Sequence, residues 1–199
     1  MRDIQQEGIP QITHKMIRGD DNMTKADAKR RFTDYLTTEH IQYKLLNETG
    51  KVAPLEDIDT MYLSCNIEDV IGGRIETSVR FMEDHCYCQS YYCQPIAMTE
   101  EKAVKAARMC NYMNLHLLCD CNCLFEHNYF FNEEDGDLFN GCLIRYELMD
   151  TYFQDAMDHV LNFSVQQIAD VCIPVIFYLE GKYTYEEFKD YLRNNIIGK

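Results

Sequence analysis

Three consecutive segments alternate apolar and polar side chains with a period of two. They are TMYLSCNI from Thr60, RIETSVRF from Arg74 and HCYCQSYYC from His85. Such alternation places successive side chains on opposite faces of a β-strand. The connections between the segments are short and contain Gly72-Gly73 and Glu83-Asp84. Because strands joined by connections this short must be antiparallel, the pattern predicts a three-stranded meander.

Two more alternating segments flank the dipeptide Asp135-Gly136. The first is CDCNCLFEHNYFF from Cys119, and the second is LFNGCLIRYELM from Leu138. An Asp-Gly pair between alternating segments is a strong hairpin signal. The two segments therefore predict a second hairpin, which brings the expected sheet to five antiparallel strands.

Apolar residues at helical spacing precede and separate the strand segments. The first repeat follows Thr24 and ends near Thr38, and the second follows Thr99; threonine is a favourable N-cap residue. A third, longer repeat begins near Asp150 and contains Pro174. Proline lacks the backbone N–H that a helix interior requires, so we expect a kink or a break there.

A capping box formed by Thr184 and Glu187 predicts a last short helix. The order of elements is then α-β-β-β-α-β-β-α. This order is typical of the α+β class and predicts a five-stranded antiparallel sheet with helices packed on one face. We expect residues 24–199 to form this single domain and the polar residues 1–23 to form a weakly ordered N-terminal tail.

The chain is strongly acidic. It has 33 acidic and 19 basic residues and a formal net charge of −14. Such an excess of carboxylates repels the phosphates of nucleic acids, so we expect no nucleic-acid partner. The one basic cluster, KADAKRR from Lys25, predicts a solvated helix face.

The first 23 residues lack the apolar core of a signal peptide. No window approaches the ~18 consecutive apolar residues of a membrane span. These observations predict a cytoplasmic protein that does not enter a membrane. We expect its thiols to be reduced, because disulfides are rare in the cytosol.

The spacing of the ten cysteines bears on whether they form a site. Cys86 and Cys88 are two residues apart, as are Cys119, Cys121 and Cys123, so each set shares one face of a strand. Their neighbours on that face are mainly apolar. The pattern therefore predicts buried, inert thiols and no cofactor.

Two alternatives remain open for these cysteines. Structural metal sites normally contain C-x₂₋₄-C pairs in turns, and this chain has no C-x-x-C; its nearest ligand-like cluster is His85, Cys86, Cys88 and Cys93. A redox disulfide between neighbouring strands is the other alternative, because cross-strand Cβ atoms lie about 4.5–5.5 Å apart. A thiol-based metal-binding or redox protein is thus the alternative function.

Sequence motifs of catalytic sites are missing. The chain contains no G-x-S-x-G, no G-x-x-x-x-G-K-[ST] and no H-E-x-x-H. His116 and His127 lie on either side of the cysteine-rich segment and are the nearest approach to a thiol–imidazole pair. A structural role for such dispersed histidines is the simpler interpretation, so we predict a protein without enzymatic activity.

Several features of the second half of the chain occur together in a known family. They are a helix with CNYMN, an aromatic-rich strand, the Asp-Gly hairpin, the strand IRYEL and a terminal helix interrupted near a proline, IPVIFYLEGKYTYEEF. In these features the chain resembles the YbjN-like proteins, over roughly residues 24–192 and most strongly from about residue 100. The resemblance implies the fold of the type III secretion chaperones and a non-enzymatic domain that dimerises or holds a partner polypeptide.

Tyrosine is abundant, with 14 residues, and several lie at outward positions of the predicted strands. Tyr62 on the first strand and Tyr87 and Tyr91 on the third are expected to face away from the helices. Tyr112 and Leu115 on the second helix are expected to form a second contact. Exposed aromatic residues are typical of interface cores, so we predict a homodimer or a complex with a partner protein through these residues.

Overall fold

The computed structural model describes residues 23–47, 51–66, 74–92, 96–117 and 124–197. Its strands are β1 (Tyr43–Leu45), β2 (Thr60–Asn66), β3 (Arg74–Phe81), β4 (His85–Tyr92), β5 (His127–Asn132) and β6 (Asp137–Arg145). They form one antiparallel sheet in the order β1-β2-β3-β4-β6-β5. The architecture is therefore α+β, as the sequence predicts.

The sheet has six strands, so the prediction of five is wrong. The additional strand, β1, has three residues and pairs with β2, with Lys44 opposite Tyr62. An isolated antiparallel bridge joins Leu46 to Val52 just after it. Three residues are too few to show a period of two, which is why the sequence pattern does not reveal this strand.

The predicted meander and the predicted second hairpin are confirmed. β3 pairs antiparallel with both β2 and β4, and β5 pairs antiparallel with β6. In the hairpin turn Gly136 has a φ of +75°, a conformation that glycine adopts without steric cost. The strand predicted from Cys119 begins only at His127: Leu124, Phe125 and Glu126 are described and are not part of a strand. Residues 118–123 and Gly72-Gly73 lie outside the described residues.

The described part of the chain contains six α-helices: α1 (Lys25–Thr38), α2 (Glu100–His116), α3 (Tyr146–Thr151), α4 (Phe153–Asp158), α5 (Ser164–Leu179) and α6 (Tyr185–Asn195). Leu55–Asp57 forms a 3₁₀ turn, and His159–Phe163 forms a π-helical turn. The predicted N-caps Thr24, Thr99 and Thr184 are confirmed, since each side chain accepts a hydrogen bond from the N–H three residues later. The capping box of Thr184 with Glu187 is also confirmed.

The long helical repeat begins earlier than predicted and is interrupted elsewhere. β6 ends at Arg145, and α3 begins directly at Tyr146. The interruptions lie at Tyr152 and at the π-helical turn, whereas Pro174 lies inside α5, which continues to Leu179. Of the expected kink or break at Pro174, the break does not occur, because a helix with a strongly buried face can continue without one of its backbone hydrogen bonds.

The described helices bury their apolar residues against one face of the sheet. One buried cluster contains residues of α2, α5 and α6, and another contains residues of α1, α3 and α4. Both clusters include residues from the same side of β3, Ile75 in the first and Val79 in the second. We call this side the inner face; Arg74 and Arg80 mark the opposite, outer face and are exposed.

The helical run Phe153–Leu179 is long and apolar enough to cross a membrane. It has 27 residues and contains an 18-residue window with a mean hydropathy of 1.5. The prediction considered only windows made of apolar residues, whereas a mean hydropathy also admits scattered polar residues, so this helix meets the averaged criterion. Inside the protein 44% of that window is buried, and core helices of soluble proteins meet the same criteria of length and composition.

The edge strand β5 is held by a side chain of α2. Asn114 Nδ2 donates to the carbonyl of Tyr129 at 3.0 Å, and the N–H of Tyr129 donates to Asn114 Oδ1 at 2.7 Å. An edge strand otherwise presents backbone groups with which another chain can pair. Asn114 therefore satisfies the outward backbone groups at the middle of β5 and fixes α2 beside it.

Replacing Asn114 with Ala should lower the free energy of unfolding by about 2 kcal/mol, because it removes two hydrogen bonds to the backbone of Tyr129. Urea unfolding followed by circular dichroism measures this change. Asn111→Ala is the matched control, since Asn111 is an exposed residue of the same helix and the gain in helix propensity is equal. Equal effects of the two substitutions would show that Asn114 does not stabilise the edge.

Candidate interaction surface and cysteine site

The three strand tyrosines lie on the outer face of the sheet, each partly buried. Tyr62 pairs with Ser78, Tyr87 with Arg80 and Leu143, and Tyr91 with Glu76 and Phe139. The last pairing is reinforced by a hydrogen bond of 3.2 Å that Tyr91 donates to Glu76. Side-chain alternation in the meander is thus enough to place these tyrosines away from the helices.

Four residues form a continuous apolar area on this face, which we call the aromatic patch: Tyr87, Phe130, Phe139 and Leu143. Phe130 is 40% exposed and Leu143 is 45% exposed. The rings of Phe130 and Phe139 are stacked across β5 and β6, with centroids 5.1 Å apart. Only Tyr87 of this group was predicted from the sequence, because the others become neighbours through the β4–β6 and β5–β6 register.

Gly141 lies at the centre of the patch and allows its rings to lie close to the sheet. A Cβ at this position would be 2.5 Å from Tyr87 Oη and 3.3 Å from Phe130 Cε2. Any larger residue would therefore displace Tyr87 from β6. Partial burial against the sheet raises the pKa of the Tyr87 hydroxyl above its usual value.

Charged side chains surround the aromatic patch. Arg80 and Arg145 lie near one end of it and are exposed. Near the other end Glu76 forms an ion pair with Arg74, and burial together with the nearby Asp135 raises the pKa of Asp137. An apolar centre with a charged margin is the usual composition of a protein–protein interface.

A cleft of about 950 Å³ opens beside Tyr62 at the edge of the outer face. Its other lining residues include Asp57, Asp59, Arg80 and Glu83. Hydrogen bonds from Lys25 and Lys29 lower the pKa of Asp59, so this carboxylate is ionised and already paired. The cleft therefore extends the polar margin of the outer face.

Tyr112 does not lie on the surface, contrary to the prediction. It is 7% exposed, and its ring contacts Phe188 of α6 while its hydroxyl accepts a hydrogen bond from Arg193. Met109, Tyr112 and Met113 are all buried on the same side of α2, a spacing that the sequence shows and that indicates a core position. Of the predicted second contact, Leu115 is exposed, at 58%.

The structure separates the described members of the alternative metal cluster. Cys86 and Cys88 are buried on the inner face with sulfurs 3.8 Å apart. His85 alternates to the outer face, where its Nδ1 lies 2.6 Å from Asp84 Oδ1. Cys93 lies outside the described residues. Within the described ranges, no group of three His, Cys, Asp or Glu residues is arranged to hold a metal ion.

The buried thiols have little nucleophilic character. The neighbouring Cys86 thiol and burial hold the pKa of Cys88 well above its usual value. Burial raises the pKa of Cys110 to about 12 and that of Cys172 to about 11. Because the thiolate is the reactive form, these groups react slowly at neutral pH. The prediction of core thiols is confirmed for Cys86, Cys88, Cys142 and Cys172, which are all buried.

Comparison with known proteins gives no match: no protein-family model, no curated protein and no solved structure matches this chain. The resemblance to the YbjN-like proteins therefore stays a prediction.

We expect the buried thiols Cys86, Cys88, Cys142 and Cys172 to react with a maleimide at pH 7.5 at least about a hundredfold more slowly in the folded chain than in urea. Mass spectrometry of digested protein measures the labelling of each cysteine. Labelling in urea supplies the control for intrinsic reactivity. Comparable rates in the two states would contradict the inert character of these thiols.

Proposed function

We propose that the chain is a non-enzymatic, chaperone-like interaction module that binds a partner polypeptide through the outer face of its sheet. The observation that carries this proposal is the exposure of Phe130 and Leu143 in the aromatic patch. A single exposed apolar residue is ordinary, but two that lie on either side of Tyr87, with a stacked ring pair and a charged margin, are typical of interaction sites. The described helices all pack on the other face and leave the patch accessible.

The order of elements supports the chaperone-like part of the proposal. Without the short β1, the helices and strands up to α3 follow the order α-β-β-β-α-β-β-α on which the resemblance to type III secretion chaperones rests. The net charge of −14 supports a protein partner over a nucleic acid. We propose that the protein is cytoplasmic, because Cys86, Cys88, Cys110 and Cys172 are free thiols, which suit a reducing compartment.

A second copy of the chain is the partner that the outer face suits best. Arg80 and Arg145 lie towards one end of this face, and Glu76 and Asp137 lie towards the other. A two-fold axis near Gly141 would therefore bring Arg80 and Arg145 of one copy against Asp137 and the Glu76–Arg74 ion pair of the other. Complementary charges of this kind fix the orientation of an interface, so we propose a homodimer through stacked outer faces.

A thiol-based metal or redox protein is the second candidate. The observation in its favour is the distance of 3.8 Å between the sulfurs of Cys86 and Cys88. Elemental analysis of protein purified without chelators tests it. A stoichiometric zinc or iron signal would place this candidate first, and a metal-free protein would leave the interaction module as the proposal.

Light scattering at micromolar concentration should give twice the chain mass of 23.5 kDa. Leu143→Lys should reduce the mass to that of one chain, because it places an unpaired charge inside the proposed interface. Val104→Lys is the matched control: Val104 is 61% exposed on α2, away from the patch, and its replacement should leave the dimer intact.

Circular dichroism of both variants separates dissociation from unfolding. A single-chain mass for the unmutated protein would defeat the homodimer. A photo-crosslinking residue at Tyr91, used in cells, then tests the more general proposal of another polypeptide partner. Crosslinks to a defined partner that are lost in Leu143→Lys would support that proposal, and an absence of crosslinked protein would count against it.

A further inference from the structure

Two buried histidines face each other between β5 and the π-helical turn. His127 and His159 are each 5% exposed, and their ring centroids are 5.4 Å apart. Nε2 of His159 lies in the interior without a hydrogen-bond partner, and the backbone of Phe125 is the hydrogen-bonding neighbour of the His127 ring. Buried polar groups are almost always fully hydrogen-bonded, so this incompletely partnered pair requires an explanation.

Aromatic rings enclose this pair. Phe163 stacks on His159 at 4.9 Å and contacts the edge of His127 at 4.9 Å, and Phe125 contacts His159 at 5.4 Å. The four rings thereby join the start of β5 to the π-helical turn. Single π-helical turns occur frequently at functional positions in helices.

In the described part of the chain, the groups that face the pair offer little negative charge to compensate a proton on either ring. Asp158, the residue before His159, favours protonation of that ring but is exposed and accepts a hydrogen bond from Asn162. On β6 the Cys142 thiol is the register partner of His127, and on β4 Cys88 is the partner of Cys142. Among the described residues, the other polar neighbours are Glu126, which is exposed and immediately precedes β5, and Ser164 and Asn140, which are buried and uncharged.

We propose that His127 and His159 form a pH-sensitive contact that holds the start of β5 on the π-helical turn and opens on acidification. A proton on either ring would create a charge in a site enclosed by apolar rings. Protons on both would place like charges about 5 Å apart in an environment of low polarity, where their repulsion is strong. Separation of β5 from the turn admits water and relieves both costs.

The pKa values of the pair agree with this geometry. Burial lowers the pKa of both rings, that of His159 to about 4 with a contribution from His127. A hydrogen bond with the Phe125 backbone raises the pKa of His127, but the lowering caused by burial is larger. Because the folded-state pKa lies below the unfolded value of about 6.5, the pair's stabilisation is complete above pH 6.5 and is lost progressively as the pH falls towards 4. For His159 alone the loss corresponds to about 300-fold in the unfolding equilibrium.

An NMR titration of the imidazole rings in the unmodified chain provides the direct test. We expect His159 to remain neutral at pH 5.5 while the cluster is intact, and His127 to titrate below the usual histidine value. As the pH is lowered to 4.5, hydrogen exchange corrected for intrinsic rates should show that amides at the start of β5 and in the π-helical turn lose protection first. Amides of β3 and β4 should still be protected at that point. Titration of either ring near pH 6.5 with protection unchanged would overturn the proposal, as would a profile that changes when a chelator is added, which would indicate a metal site.

The double variant His127→Phe with His159→Phe tests the cause, because phenylalanine keeps an aromatic ring at each position and cannot be protonated. It should lose most of the change in unfolding midpoint between pH 6.5 and 4.5. The control is His40→Asn, which removes an exposed histidine whose φ of +57° asparagine tolerates, and its pH profile should match the unmodified chain. An unchanged pH profile in the double variant would overturn the proposal. If the double variant does not fold, the pH profile of the single variant His159→Phe and the NMR titration of the rings test the proposal instead.

Discussion

The pairing of β4 with β6 holds the two halves of this chain together. β4 closes the meander of the first half, and β6 belongs to the hairpin of the second, so their ladder is the sheet's principal contact between distant parts of the sequence. Its register also decides what lies on each face. It sets Cys88 beside Cys142 on the inner face and Tyr87 beside Leu143 on the outer one. A shift by one residue would exchange the two faces, so burial of the inner face fixes the composition of the outer one.

Local signals in the sequence were sufficient for much of the fold. The meander, the Asp-Gly hairpin and the three threonine caps each depend on residues a few positions apart, and they appear where the pattern indicates. β1 escaped detection because it has three residues and exists only through its pairing with β2. The interruption of the long helix at Tyr152 and the π-helical turn, rather than at Pro174, reflects tertiary packing, which overrides the local preference of a single residue.

Surface residues could be predicted from the sequence only where the alternation within a single strand assigns them to a face. Tyr87 and Tyr91 face outward because their strand has a period of two. Phe130 and Leu143 complete the patch through pairing between strands, which no window of the sequence contains, and Gly141 has its role only because Tyr87 lies across it. The buried histidine pair is equally non-local, since His127 and His159 meet only when the helical segment packs on β5. Tyr112, in contrast, was misplaced although its helical spacing indicated the core.

Strand β5 connects the buried pair with the outer face. It carries His127 on its inner side and Phe130 on its outer side. Asn114 holds Tyr129, one of the two residues between them, by two hydrogen bonds. If the first residues of β5 separate from the π-helical turn, the motion reaches Phe130 only through Tyr129. The strength of the two hydrogen bonds from Asn114 therefore determines how far this movement extends along β5. If these hydrogen bonds persist at low pH, only the first residues of β5 move. If they break, the movement extends to the aromatic patch and changes the surface that a partner would contact.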